Sequence, residues 1–289
     1  MFNIIELGSI GGGGSMPVLP DGWDGGWMLP PAYDATTING KTDICGIVCN
    51  VLDIGDRNYF SCIAAGAYTV NVYTDATATT LISTQDVASG VQANWQIDYA
   101  LCTHQLNTNT RQAYVEVVPQ SGQSLTTVRF NTNHPAETNA NSATNFVAVF
   151  GALPALTNAT SMFYGCYALK SATFGALPAL TSATSMFQYC YSLQSVTPPV
   201  LAALTSATSM FGTTAETTCL RSLRRLILNG LRVGFVLQYT AMQAPELNAL
   251  FTSLGTANGT QTIDVRNNPG SATCDANIAV MKGYTVLTA

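Results

Sequence analysis

Three consecutive segments of the chain align at a fixed spacing of 24 residues: FGALPALTNATSMFYGCYALKSAT (150–173), FGALPALTSATSMFQYCYSLQSVT (174–197) and PPVLAALTSATSMFGTTAETTCLR (198–221). Met162, Met186 and Met210 are equivalent, as are Phe163, Phe187 and Phe211, and Leu156, Leu180 and Leu204. Cys166 and Cys190 match, and the third segment has diverged there. Internal identity at one period means that a small unit is built several times and stacked on itself. Within a unit, Leu169, Ala172, Phe174, Leu177, Leu180, Ala183, Met186, Phe187 and Cys190 recur mostly at steps of three. That spacing fits neither a continuous helix nor a long strand. It fits a coil that winds around an axis and turns one apolar residue inward every two or three positions. A single coil cannot bury that row, so coils stack and equivalent residues line up through a shared core. On this reading Cys166 and Cys190 are core thiols rather than nucleophiles.

The short strand of each coil is predicted at Leu169–Thr173 and Leu193–Thr197. The same L-x-x-apolar-x-apolar pattern recurs at Leu125, Val128 and Phe130 upstream and at Leu223, Leu226 and Leu228 downstream, and more loosely around Ile263 and Val265. The repeat region is therefore expected to run from 124 to 289. Its end is expected to be atypical, because a terminal coil must cover an open core. Residues 245–254 form an amphipathic pattern with Pro245 in the first turn and Gly255 after the end, which predicts a helix. Asp275 and Gly283 bracket a second predicted helix as N-cap and C-cap, and Tyr284–Leu287 a closing strand.

Upstream, residues 32–123 are expected to form a β-sandwich. Alternating β-branched and aromatic runs occupy 43–54, 59–74, 79–84, 91–99 and 111–120, separated by turn clusters such as 55–58 and 121–123. Tyr68, Val70 and Val72 should share one face, and Val115 and Val117 the inner face of another strand, with Glu116 pointing outward. Residues 1–31 read as a flexible Gly- and Pro-rich arm carrying Trp23, Trp27 and Met28. A tryptophan on such an arm gains by docking. Two readings stand, an anchor inserted into a neighbouring subunit or side chains folded back on their own domain; a third, an engineered GGGGS linker, is disfavoured because the flanking residues are not tag-like.

Composition narrows the function. Only 9% of residues are charged and the net charge is −5, so no basic stripe offers a track for nucleic acid. Arg221, Arg224 and Arg225, with Arg232 nearby, read as a solvated face or an interface. Mean hydropathy is +0.21, yet Pro154 and Arg232 interrupt the longest apolar stretches before they reach the ~18 residues of a membrane span. The first fifteen residues contain no Lys or Arg and include Glu6, unlike a secretory signal. The eight cysteines form no paired metal-binding knuckles, and His104 and His134 are isolated. No nucleophile elbow, phosphate loop or dinucleotide fingerprint occurs, and residues 141–210 contain no acid and one charge, Lys170. The expectation is a protein that is not an enzyme and needs no metal or cofactor.

SMFYGCYALKSAT and SMFQYCYSLQSVT resemble the BspA-like class of leucine-rich repeats, in which an aromatic and a cysteine precede the strand leucine, here Phe163, Cys166, Leu169 and Phe187, Cys190, Leu193. The arrangement as a whole also resembles a group of bacteriophage structural proteins, in which a PKD-like β-sandwich precedes BspA-like repeats and a capping end similar to residues 250–286. The resemblance extends over residues 60–289. It implies a mainly β chain, with a sandwich, a short leucine-rich-repeat solenoid and a C-terminal α/β cap. It implies residence in the virion as a tail or head fibre, appendage or decoration protein, with the 1–31 arm attached to capsid, neck or tail proteins. Such appendages are commonly symmetric homo-oligomers. The outward solenoid would adhere to a host cell-surface glycan or protein, or decorate the particle, without inserting in a membrane. The alternative is a bacterial cell-surface adhesin of the BspA-like kind, which requires an export signal and an anchor. For a receptor-binding face, the equivalent positions Lys170, Ser171 and Thr173 and Gln194, Ser195 and Thr197 are candidates, with Tyr164, Tyr167 and Tyr191 beside the cysteines.

Overall fold

The computed structural model describes residues 42–53, 58–74, 78, 80–107, 109–130 and 145–288. Trp23, Trp27, Met28 and His134 lie outside the described residues. The described chain is mainly β, arranged in several sheets.

The N-terminal strands are β1 (Cys45–Leu52), β2 (Tyr59–Ala65), β3 (Tyr68–Tyr73), β4 (Leu81–Val87), β5 (Gln92–Gln96), β6 (His104–Asn107), β7 (Thr110–Pro119) and β8 (Thr127–Arg129). The run 59–74, read as one stretch, is two strands. Gly66 (φ +104) breaks it, in a left-handed conformation that glycine adopts without strain. A side chain there would also strike the Ser124 carbonyl. Strands β1, β7, β3 and β4 lie side by side, antiparallel, while β2 pairs with β5 and β8 in a second sheet. The two sheets share one apolar core. Tyr68, Val70 and Val72 all face it, as their alternation predicts. Tyr68 also ties the layers together: its one hydroxyl proton is shared between the carbonyls of Val91 (2.7 Å) and Cys62 (3.1 Å), and its oxygen accepts from the Ala93 amide (3.2 Å).

Glu116 departs from expectation. It lies on the face opposite Val115 and Val117, yet it is only 7% exposed. That face is not bare: Val48, Tyr114, Val147 and Val149 form a second small apolar cluster there, and the Tyr73 hydroxyl donates to Glu116 Oε2 at 3.3 Å.

The repeats contribute β9 (Asn145–Phe150), β10 (Ser171–Phe174), β11 (Ser195–Thr197) and β12 (Arg225–Leu226). They pair in parallel, each residue with its counterpart one repeat on: Val147 with Ser171, Ser171 with Ser195. The last step is longer, Ser195 pairing with Arg225, because the third repeat holds extra residues that include a 3-10 turn at Glu216–Thr218. A second parallel ladder runs through Thr127, Asn158, Ser182 and Ser206. Between the ladders, the rings of Phe130, Phe163, Phe187 and Phe211 stack at 5.4, 5.6 and 6.1 Å, within 14° of parallel. Met162, Met186, Met210, Cys166 and Cys190 are buried beside them.

Two features differ from the sequence reading. Leu125–Phe130 was expected to be the strand of a first coil. Instead β8 pairs antiparallel with β2, Thr127 joins the Asn158 ladder and Phe130 takes the place of the stacked phenylalanine. The L-x-x-V-x-F spacing fits both roles, so the pattern alone does not separate them. Second, no break in the sheet falls at 123–124. β1 hydrogen-bonds β7 on one side and β9 on the other, so one sheet runs from β4 through to β12.

Beyond the repeats, β13 (Phe235–Val236), β14 (Gln261–Asp264) and β15 (Tyr284–Leu287) form a separate parallel sheet. Parallel neighbours need crossover connections, and the helices Ala244–Ser253 and Asn277–Val280 lie in the two connections. The first matches the predicted helix within a residue. Its Gln243 amide donates to Glu246 Oε2 at 3.0 Å in a capping box. The second is shorter than the predicted 275–282. Asp275 Oδ1 accepts from the Asn277 amide at 3.1 Å, and Gly283 (φ +91) turns the chain out. No helix among the described residues is long and apolar enough to cross a membrane.

Candidate binding surface on the stacked repeats

Each repeat turns its chain sharply in the S-M-F segment. Ser161, Ser185 and Ser209 there all take positive φ (56, 52 and 52). The Met–Phe pair then enters the core, Cys166 or Cys190 returns to it three residues later, and tyrosines on either side of the cysteine reach the surface, although Gln188 stays buried. Tyr164 and Tyr167 of one repeat and Tyr191 of the next are thereby exposed, at 38%, 39% and 38%.

They do not stand singly. Tyr167 and Tyr191 are 24 positions apart in sequence, and their rings stack at 5.3 Å, 6° from parallel. Tyr164 meets Tyr189 edge-on at 5.1 Å, and Tyr189 meets Tyr191 edge-on at 6.1 Å. The four rings thus form one continuous group. At one end the Tyr191 hydroxyl donates to the Thr217 carbonyl at 2.8 Å, so the extra turn of the third repeat borders the group. Beside it Glu216 and Arg221 pair at 3.0 Å. Burial against neighbours raises the pKa of the Tyr164 hydroxyl, as does its hydrogen bond with Tyr189. Burial also raises that of Tyr191, together with the nearby Tyr167 and Tyr189 phenols and against the pull of Arg221. Both stay protonated and uncharged at neutral pH; with its proton given to Thr217, the Tyr191 hydroxyl is left to accept.

The remaining candidates lie on β10 and β11 or immediately before them. Thr197 is exposed and Thr173, Lys170 and Gln194 are half-buried. Ser171 and Ser195, expected on the binding face, are instead buried, at 6% and 7% exposure. Ser171 sits between Val147 and Ser195, and Ser195 between Ser171 and Arg225. A short hydroxymethyl group in such a row is overshadowed by its neighbours. Tyr189 was missed by sequence reading. Its signal was available: it aligns with Gly165, and it is one of four tyrosines within two residues of the two core cysteines.

Cys166 and Cys190 are fully buried. Burial, then the neighbouring Cys166, pushes the Cys190 thiol well above its ordinary value, and its Sγ donates to the Phe163 carbonyl at 3.0 Å. Cys62 is pushed up to about 12 by burial. These thiols resist forming the thiolate that nucleophilic chemistry requires. Among the described residues no three His, Cys, Asp or Glu side chains are grouped to hold a metal ion. Of the arginine cluster, Arg221 is paired with Glu216, and Arg232 donates from Nε to the Thr256 carbonyl at 3.1 Å.

Compared with known proteins, the chain matches no family model, no curated protein and no solved structure.

Proposed function

We propose that this protein is a non-enzymatic structural component of a bacteriophage particle, a tail or head fibre, appendage or decoration protein. In this reading residues 32–123 form a PKD-like β-sandwich and 124–289 a BspA-like leucine-rich-repeat solenoid with a C-terminal cap. The 1–31 arm, with Trp23, Trp27 and Met28, attaches the protein to capsid, neck or tail, and the repeats face outward for host adhesion or particle decoration. The observation that carries it is the parallel ladder in which Val147, Ser171 and Ser195 follow one another at 24-residue steps. The phenylalanines of successive steps stack beneath it. This is the geometry expected if the Phe–Cys–Leu signature marks stacked coils, and the phage resemblance rests on that signature.

Mass spectrometry and cryo-electron microscopy of purified particles from the source test the reading. A stoichiometric copy number, with density for the N-terminal arm against another virion protein, is the expected result. Absence from particles overturns it and favours the cellular adhesin. Turnover of host capsular polysaccharide by the purified protein overturns its non-enzymatic part.

A further inference from the structure

We propose that Tyr164, Tyr167, Tyr189 and Tyr191 form a binding site for a neutral glycan. The proposal deepens the adhesion reading, resting on the repeats being the outward part of the protein. Its first support is the backbone at Tyr189. That residue has φ +66, and its equivalent one repeat earlier is Gly165, with φ +73. The turn therefore demands a left-handed residue, which glycine supplies freely and a bulky side chain does not. A tyrosine is nonetheless present, and its ring joins Tyr164 to Tyr191 by edge-on contacts on both sides. Strain held at a half-buried residue outside the apolar core points to a role in recognition.

The second support is the chemistry of the group. Exposed tyrosines offer an apolar ring and a hydroxyl side by side. That pairing matches a sugar ring, whose C–H groups pack on aromatic carbon while its hydroxyls exchange hydrogen bonds with the phenols. The surroundings carry almost no charge. Lys170 is the one charged residue in 141–210, and Glu216 neutralises Arg221 at the border. Arg221 is the one cation that acts on the phenols of Tyr164 and Tyr191, and it is already paired, while Arg224 and Arg225 sit at the following strand; the rings themselves therefore suit a neutral glycan. A second copy of the chain fits less well, since four side chains are few beside the ~20–30 residues that each partner gives a standard protein interface.

The full-length chain is screened on an array of neutral and acidic glycans. A neutral hit is then titrated by calorimetry with wild type, the double variant Tyr167→Ala/Tyr191→Ala, and Tyr189→Gly. The expected result is selective binding of neutral glycans, weakened at least about tenfold in the double variant. Tyr189→Gly should bind more weakly while melting no lower than wild type, because glycine suits the left-handed turn. A merely structural tyrosine would show the reverse, lower melting with binding intact. Four outcomes overturn the proposal: no glycan bound, acidic glycans only, affinity unmoved by the substitutions, or sedimentation showing a wild-type oligomer that the double variant dissociates. None depends on particles, so failure here leaves the virion reading to its own test.

Discussion

Two parts of this chain stack parallel strands over a buried apolar core, and they differ in the polar contacts added to it. Between β9 and β11 the glue is apolar and aromatic. Stacked phenylalanines fill the centre, and the polar work is left to neutral hydroxyls: Thr181 and Thr205 each donate to the threonine carbonyl one repeat earlier, both at 3.0 Å. Between β13 and β15, where Phe235, Ile263 and Tyr284 are buried too, a polar side-chain network is added. Asn268 Nδ2 donates to the carbonyls of Leu237 (2.6 Å) and Val265 (2.9 Å), while its Oδ1 accepts from the amide (2.7 Å) and hydroxyl (2.8 Å) of Thr240. Asp264 accepts from Gln238 at 2.6 Å and pairs with Arg266 at 2.8 Å. Lys282 Nζ lies at the end of the helix Ala244–Ser253, within 3.1 Å of the Phe251, Thr252 and Leu254 carbonyls, satisfying groups that a helix end leaves bare. The contrast follows from position. An internal repeat has a closely similar neighbour on each side, so equivalent apolar residues align without further guidance. The last strands have irregular neighbours, 28 residues back from Ile263 to Phe235 and 23 forward to Val286. Particular hydrogen bonds must set their register.

The largest effect should come from the apolar stack. Phe187→Ala removes a fully buried ring from between Phe163 and Phe211 and is expected to destabilise the protein by about 3–5 kcal/mol. Denaturant unfolding measures it. A loss below ~1 kcal/mol would mean that the stack collapses around the gap and that the aromatic ladder is not what holds the repeats. Next comes Asn268→Ala, which strands the Leu237 and Val265 carbonyls and both Thr240 donors. It should lose about 2–3 kcal/mol. If its loss exceeds that of Phe187→Ala, the two regions do not differ as described.

The repeats were legible in the sequence for the same reason that they are stable. One residue type recurs at one spacing, so Phe163, Phe187 and Phe211 could be placed in the core without coordinates. The strand alternation of Tyr68, Val70 and Val72 and the helix at 244–253 could likewise be read, since each depends on local pattern. What could not be read depends on neighbours distant in sequence. The antiparallel joint of β1 with β9, which fuses the N-terminal strands to the repeats, leaves no local mark. Neither does the covering that buries Glu116, nor the shielding of Ser171 and Ser195 by flanking side chains. Part of the tyrosine site was visible as three exposed residues. The fourth, Tyr189, became apparent only when its positive φ was set against that of Gly165.

The polar region should also differ in its response to acid. Burial alone would raise the pKa of Asp264, but hydrogen bonds from Arg266 and Gln238, with the Arg266 charge, hold it below the ordinary carboxylate value. A carboxylate whose folded pKa lies below its unfolded one, about 3.9, contributes stability that is fully present above that unfolded value. The contribution fades as pH falls from about 4 through the lowered folded value. Asp264→Asn should abolish this component, on the order of 1 kcal/mol, flattening the stability profile on the acid side. Unfolding free energies of wild type and variant between pH 5 and about 2.5 test this. Residues 141–210 contain no acid, so Phe187→Ala should shift the whole curve without changing its slope. A parallel shift for Asp264→Asn as well would show that its ion pair does not distinguish the two regions.

The smallest expected effect probes the turn that repeats share. Ser185 holds φ +52, and its amide donates to the Thr208 carbonyl at 3.0 Å. Left-handed backbone costs an ordinary L-residue about 1–2 kcal/mol, which Ser185→Gly would relieve. Against this, glycine frees the unfolded chain and gives back about 0.5–1 kcal/mol. The net should be a stabilisation below about 1 kcal/mol, seen as a small rise in melting temperature. Ser185→Val should move the other way, because a β-branched side chain tolerates that backbone least. If Gly and Val fall on the same side of wild type, the serine hydroxyl rather than the backbone angle governs the turn. The apolar repeats would then rely, like the end of the chain, on a specific polar contact.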